Sequence, residues 1–260
     1  FKNFFEKENI TFKGTSASYS TPNRLVVYFQ NLNTEIFQGS QEIRGPGVNA
    51  PEKALEGFIR SNEIDRINLY KKQTDKGEFY FYKKKSRKVK TKDLLNKNIP
   101  IILDKTSWKK SMKWGEFDLY WGRPLKSILA IFKGEILNFK YHHLKSSNVT
   151  YIDKEFEEKT KSFNSFKSYN NYFKKKGIII DHVLRKNFIE KELIKISKKK
   201  QLEIKINSRL LSEVSDLVEK PKIISCSFDK KFLDIPKEIL IITMQQHQKY
   251  FPTFDKKENL

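Results

Sequence analysis

The run Phe166-Lys167-Ser168-Tyr169-Asn170-Asn171-Tyr172-Phe173-Lys174-Lys175-Lys176-Gly177-Ile178-Ile179-Ile180-Asp181 contains both kinds of regular structure in one short stretch. Phe166, Tyr169, Tyr172 and Phe173 recur at helical spacing, so their rings share one face. Gly177 suits the left-handed residue that closes such a helix. Residues 178–180 are apolar and β-branched and predict a short strand. Asp181 then offers its carboxylate to the unpaired amides of a second helix. That basic helix is predicted to run to about Lys200, with Leu184, Phe188 and Ile189 inward. The alternation of helix and strand predicts mixed α+β packing.

Toward the C-terminus, Leu210, Leu211, Val214, Leu217 and Val218 mark a further helix before Pro221. Residues 223–228 read as an apolar strand in which Cys226 is a buried, inert thiol. Pro236 opens a third helix whose Ile239, Leu240, Met244 and His247 are expected to face inward, with His247 a packed ring. Toward the N-terminus, residues 25–29 and 78–82 predict strands, the second following Lys76-Gly77. Between them Pro51 starts a helix carrying Ala54, Leu55, Phe58 and Ile59, and another starts at Thr91 with Asp93 near its positive end. Residues 128–132 and 135–141, joined by Lys133-Gly134, predict a hairpin. No internal repeat or flexible linker is evident. Residues 1–230 are expected to form one α+β domain, and 231–260 the start of a following region.

The chain has 260 residues and is 38% hydrophobic, with 21 Phe, 11 Tyr and 3 Trp, enough apolar material for a packed core rather than a basic tail. Its 52 Lys and Arg against 31 Asp and Glu leave a net charge of +21, a field that concentrates polyanions such as RNA. A codon bias toward Lys would give the same excess. Cys226 is the one cysteine in the sequence, which rules out an internal disulfide and fits a reducing, cytoplasmic setting. No stretch approaches the roughly 20 apolar residues that span a bilayer, so no membrane is expected. Phe1 is neither an initiator methionine nor part of a signal-peptide pattern, and both ends read as cuts in a longer chain.

A catalytic site does not emerge. The histidines are His142, His143, His182 and His247, and a metal centre needs them clustered with carboxylates. Neighbours on a strand point to opposite faces, so His142 and His143 are expected as one packed and one exposed ring. Asp181-His182 lacks the further ligands of a metal-dependent phosphohydrolase. The ten glycines form no phosphate-cradling loop. Gly45-Pro46-Gly47 reads as a tight turn beside Arg44. No catalytic residue, metal ligand or cofactor is assigned to this chain.

Several segments, in order, resemble the beta subunit of bacterial heterotetrameric glycyl-tRNA synthetase. The most specific runs Phe232-Leu233-Asp234-Ile235-Pro236-Lys237-Glu238-Ile239-Leu240, then Thr243-Met244-Gln245-Gln246-His247-Gln248-Lys249-Tyr250-Phe251-Pro252. Upstream, Leu210-Leu211-Ser212-Glu213-Val214 and Leu217-Val218-Glu219-Lys220-Pro221 resemble the family's helix and Glu-Trp-Pro turn, with Lys220 for the Trp. Fainter echoes are Thr21-Pro22-Asn23-Arg24-Leu25, Arg44-Gly45-Pro46, Lys76-Gly77-Glu78, Met112-Lys113-Trp114-Gly115 and Gly122-Arg123-Pro124. In place of the family's Gly-His-Arg-Phe motif, this chain reads Thr150-Tyr151-Ile152-Asp153-Lys154-Glu155-Phe156. Asn23 and Lys113 stand where Arg is usual, and lysine cannot form the bidentate phosphate contact of a guanidinium.

The resemblance implies an N-terminal, tRNA-handling portion of a subunit in an assembly of two alpha and two beta subunits. The alpha subunit would use ATP, Mg and glycine, while beta helps to bind glycine tRNA. It also implies a fold similar to the tRNA-contacting, editing-like region of the phenylalanyl-tRNA synthetase beta subunit. Arg24, Arg44 and Arg123, each near a Pro or Gly, are candidate RNA contacts or internal ion pairs. Lys249 is a fourth candidate. Trp114 and Trp121 suit either base stacking or burial, and the lysine runs at 174–176 and 198–200 suit helix C-termini. A stand-alone basic RNA-binding module and a deacylase for mischarged tRNA are the rival readings.

Overall fold

A computed structural model describes residues 1–152, 159–256 and 260. Asp153, Lys154, Glu155 and Phe156, from the stretch replacing the Gly-His-Arg-Phe motif, lie outside the described residues. The fold is α+β, with small sheets and seven α-helices among the described residues. Two compact units are formed, residues 1–13 with 31–107, and 14–30 with 108–260. The boundary expected at 230/231 falls inside the second.

In chain order, α1 (Lys2–Glu8) belongs to the first unit, and β1 (Ser16–Ser20) and β2 (Leu25–Phe29) to the second. The first unit then continues through β3 (Glu35–Gln38), β4 (Gln41–Gly47), α2 (Glu52–Asn62), β5 (Leu69–Thr74), β6 (Gly77–Lys84), β7 (Arg87–Lys90) and α3 (Thr91–Asp104). The remainder of the second unit opens with short strands β8 (Met112–Lys113), β9 (Tyr120–Trp121), β10 (Ile128–Leu129), β11 (Ile131–Phe132), β12 (Glu135–Ile136), β13 (Lys140–Tyr141), β14 (Leu144–Ser147), β15 (Val149–Tyr151) and β16 (Thr160–Ser162). Its helices are α4 (Phe166–Lys175), α5 (His182–Lys199), α6 (Ser208–Leu217) and α7 (Lys237–Ile242), and β17 (Glu203–Ile204) pairs antiparallel with β18 (Thr253–Phe254).

In the first unit, β6 is the centre of an antiparallel sheet in the order β4-β6-β5. Strand alternation sends Phe79 and Phe81 to one face and Tyr80 and Tyr82 to the other. Gly45 lies two residues beyond Ile43, which pairs with Tyr82, and a Cβ at Gly45 would stand 2.9 Å from the Phe58 ring of α2. Glycine is thus what lets α2 close on that face. Gly45-Pro46-Gly47 is not a turn but part of β4, at a register shift between Arg44 and Gly47. The helices predicted from Pro51 and Thr91 form, with Leu55, Leu95 and Ile99 buried and Ala54 exposed.

The second unit is built around two buried guanidinium groups. Arg185 is 0% exposed. Its Nε donates to the Ser215 carbonyl at 2.7 Å, Nη1 to the Ile179 and Ile180 carbonyls at 2.7 and 3.3 Å, and Nη2 to the Ser20 carbonyl at 2.9 Å. One side chain thereby ties α5 to α6, to residues 178–180 and to the end of β1. Burial pushes its pKa below the usual arginine value, with Asp216, Glu219 and Asp181 opposing the shift. Arg24 donates to the Tyr151 carbonyl at 2.7 Å and the Ile152 carbonyl at 3.3 Å, and its Nη2 lies 3.3 Å from Glu219 Oε1. The other Glu219 oxygen accepts from the Thr21 hydroxyl at 2.7 Å. Beneath Arg24, at 4.1 Å, lies the ring of Phe173, within a cluster of Ile152, Phe163, Tyr169, Ile178 and Ile180.

These contacts correct several expectations. Residues 178–180 form no strand, because the Ile179 and Ile180 carbonyls bond Arg185 and the Ile179 amide bonds the Glu219 carbonyl. Burying Arg185 turns α5 so that Ile189 and Leu193 follow it inward, leaving Leu184 60% and Phe188 40% exposed. The predicted caps are present: Asp181 accepts from the Val183 and Leu184 amides, and Gly177 has φ 78°. Residues 223–228 are not a strand, and Cys226 is exposed. Lys133-Gly134 turns a hairpin of β11 and β12 with φ of 50° and 83°, shorter than expected because Ile128 and Leu129 instead pair parallel to β14. His142 and His143 form the turn between β13 and β14 and are both exposed, the His143 ring stacking on Phe117 at 3.6 Å.

Past Pro236 the helix stays α-helical only over Lys237–Ile242, then widens to a π-turn at Thr243–His247, with the Gln248 amide donating to the Thr243 carbonyl. The extra residue per turn rotates the downstream backbone by roughly 100°. The expected apolar face is therefore not maintained: His247 is exposed, Ile239 is 55% exposed, and Leu240 and Met244 are half-buried.

Arg185→Ala should remove about 3–5 kcal/mol of stability, since it strands buried carbonyls and opens a cavity. A denaturation midpoint within error of the parent would contradict this. Burial raises the Tyr169 hydroxyl above its ordinary value, against the opposing Arg24 charge. Only the unfolded chain then readily ionises Tyr169 just above pH ~10, so its contribution is complete below that pH and lost as pH rises toward the folded value. Tyr169→Phe should flatten the alkaline limb of a stability–pH curve, whereas an identical limb would show that Tyr169 ionises equally in both states.

Candidate nucleic-acid interface

A net charge of +21 favours phosphate, but only cations reaching solvent can meet it. Arg24, near Pro22 and a candidate for RNA contact or internal ion pairing, is 8% exposed and engaged inside the second unit. Of its two expected roles, the RNA contact is corrected to the internal ion pair, because Nη1 and Nη2 are engaged by the Tyr151 and Ile152 carbonyls and by Glu219. Trp121 is likewise unavailable for stacking: it is 6% exposed, packs on Trp108 at 4.9 Å, and its carbonyl accepts from Trp114 Nε1 at 2.9 Å.

Arg123 is exposed. A Cβ on the preceding Gly122 would stand 2.7 Å from Trp108, so the glycine lets the chain cross that ring just before Arg123. Lys249 is half-buried, with φ 59°, and its ammonium lies 2.7 Å from Glu213 of α6. The pair borders a shallow cleft of about 170 Å³ with Asn207, Arg209 and Gln245. A second, more open cleft of about 490 Å³ is lined by Lys161, Asn164, Ser168, Tyr172 and Lys175.

Arg44 is exposed, on the face of the β4-β6-β5 sheet opposite Gly45 and α2. Its guanidinium lies 3.6 Å from the centre of the Phe79 ring. Register places Glu42 opposite Lys83, Arg44 opposite Phe81, and Tyr70 and Lys72 opposite Phe81 and Phe79. Lys72 stands 5.3 Å over Phe81 and 2.6 Å from Glu42, and the Tyr70 hydroxyl also donates to Glu42. The Lys72 and Tyr70 hydrogen bonds hold Glu42 below the usual carboxylate range, while the bond to Glu42 pushes the Tyr70 hydroxyl up. Sequence reasoning found Arg44 but not Phe79, Lys72 or Tyr70. The available signal was β6 itself, whose unbroken Phe-Tyr-Phe-Tyr must place rings on both faces of one strand.

Among the described residues no group of three or more His, Cys, Asp or Glu side chains could hold a metal ion. No helix among them is long and apolar enough to cross a membrane. The arrangement defines a basic α+β protein whose exposed arginines and lysines are set on small sheets and turns. Residues 1–260 match the family described as "Glycyl-tRNA synthetase beta subunit", and the chain belongs to that family. It is similar to the glycine–tRNA ligase beta subunit of Rickettsia akari (strain Hartford), 35% identical over 92% of this chain and 36% of the relative. The corresponding subunit of Rickettsia felis is 33% identical over all of this chain and 39% of its own length. The chain thus spans less than two-fifths of the length of these relatives.

Glu219→Ala should cost about 3–5 kcal/mol by leaving the Arg24 charge buried without its counter-ion. Replacing both Arg24 and Glu219 with leucine should recover part of the loss. A double variant no better than the sum of the single changes would show that the two groups are not coupled.

Proposed function

We propose that this chain is the tRNA-handling part of the beta subunit of glycine–tRNA ligase, in a cytoplasmic assembly of two alpha and two beta subunits. The observation that carries this is the family match over residues 1–260. The alpha subunit would activate glycine with ATP and Mg. This portion of beta would bind glycine tRNA through Arg44, Arg123 and, when it exchanges Glu213 for phosphate, Lys249. By the same reading the fold is related to the tRNA-contacting, editing-like region of the phenylalanyl-tRNA synthetase beta subunit. Kinship with named ligase subunits favours this assignment over a stand-alone RNA-binding module or a deacylase.

Co-purification of the full-length subunit with an alpha subunit, followed by glycylation of tRNA, tests the assignment. Glycine-dependent ATP–pyrophosphate exchange should be absent from this chain alone and present when alpha is added. Arg44→Ala and Arg123→Ala should each lower tRNA affinity, and loss of a phosphate contact at Arg123 should reduce the salt slope by about one. Exchange by this chain alone would refute the division of labour, and unchanged binding in both variants would remove these arginines from the interface.

A further inference from the structure

We propose that the open face of the β4-β6-β5 sheet is a stacking platform for an unpaired RNA nucleotide, with the Arg44 guanidinium, backed by Phe79, as the surface on which the base lies. This rests on the tRNA-binding reading and narrows it to one residue pair and one form of RNA.

An exposed arginine ordinarily samples many rotamers and surrenders that freedom on binding. Here the guanidinium already lies on a ring at 3.6 Å, so part of the ordering precedes the ligand. A planar cation stacked on one side presents its other side, and guanidinium planes and aromatic rings are the surfaces on which proteins stack splayed bases. α2 closes against Gly45 on the opposite side of the sheet and leaves Arg44 exposed.

The surrounding charges select a base rather than a bare phosphate. Glu42, two residues along the same strand face, is held ionised by Lys72 and Tyr70, so a phosphate at its side meets a fixed carboxylate. An aromatic base carries no such charge. Lys83, exposed and opposite Glu42 in the register, is placed to meet the backbone phosphate beside a stacked base. A base within a duplex already has both faces covered by its neighbours, so the platform discriminates in favour of unpaired RNA.

The test uses the full-length beta subunit assembled with its alpha partner. One probe is a short RNA with 2-aminopurine in an unpaired run, and the other is the same RNA annealed to its complement. Arg44→Lys retains the charge of an exposed side chain but lacks the planar group, so a folding failure is not expected. It should weaken binding of the unpaired probe about tenfold, within the range typical of base stacking, and reduce the 2-aminopurine fluorescence change. Duplex affinity and the salt slope should stay as in the parent. Phe79→Leu, checked for an unchanged melting temperature, should reproduce the loss. Parent-like binding of the unpaired probe by Arg44→Lys, or equal weakening toward both probes, would overturn the platform. Glycylation by the parent assembly is scored separately: its absence would defeat the ligase reading without touching the oligonucleotide result, and normal glycylation beside an indifferent Arg44→Lys would defeat the platform alone.

Discussion

The buried guanidinium of Arg185 is the interaction on which the second unit depends. Residues 178–180 belong to no helix or strand, and the Ser215 carbonyl of α6 is bonded in the interior by Arg185. Buried carbonyls left without donors cost about 1–3 kcal/mol each. Arginine alone among side chains carries five N–H donors in a rigid fork, and one guanidinium serves Ile179, Ile180, Ser215 and Ser20 together. The desolvation that lowers its pKa is opposed by three carboxylates, none of them a close, well-formed partner: the nearest salt-bridge oxygen, on Asp216, is 3.9 Å away. Geometry, rather than ion pairing, holds this charge in place.

Arg24 solves a related problem with a different balance. It too satisfies carbonyls, those of Tyr151 and Ile152, but it also meets a full counter-charge in Glu219, itself 5% exposed and bonded to Thr21. The resulting chain from Thr21 through Glu219 and Arg24 to Phe173 links the β1–β2 hairpin to residues more than a hundred positions later. Because the Ile179 amide bonds the Glu219 carbonyl, the two arginines act on a shared stretch of backbone. The hairpin is therefore fastened into the second unit at both of its inner ends, by Ser20 and by Arg24.

This arrangement explains what was legible in the sequence. Local rules read well where the determining partner lies within a few residues: Asp181 and Gly177 as caps, Lys133-Gly134 as a turn, and the helices after Pro51 and from Thr91. They failed where the partner is remote. Nothing near Ile178 announces that its neighbours' carbonyls will be bonded by an arginine, and an inward Arg185 contradicts the hydrophobic pattern that placed Leu184 and Phe188 in the core. His247 failed for another reason, since helical spacing assumes a constant turn and the π-turn at Thr243–His247 breaks it. Of the four candidate RNA contacts, a turn-forming neighbour was shared by Arg24 and Arg123, yet one points inward and the other is exposed.

What separates these arginines is the supply of acceptors around them rather than their sequence setting. Arg24 and Arg185 lie where backbone carbonyls converge, and a fixed cationic fork answers that convergence better than water can within a closed core. Arg44 projects from the face of β4, an edge strand paired with β6 along one side. Because backbone carbonyls lie in the plane of a sheet while side chains stand out of it, that face presents its guanidinium with no converging carbonyls. The carboxylate two residues away on its face, Glu42, is engaged by Lys72 and Tyr70. There remains the Phe79 ring, which orients the guanidinium without satisfying its N–H groups, because a π-face attracts a cation but accepts few hydrogen bonds. A side chain that is positioned yet not satisfied keeps its donors for a ligand. By this criterion Arg44 stands apart from the buried pair: the Phe79 ring, rather than backbone acceptors, sets its position, which is what the proposed platform requires.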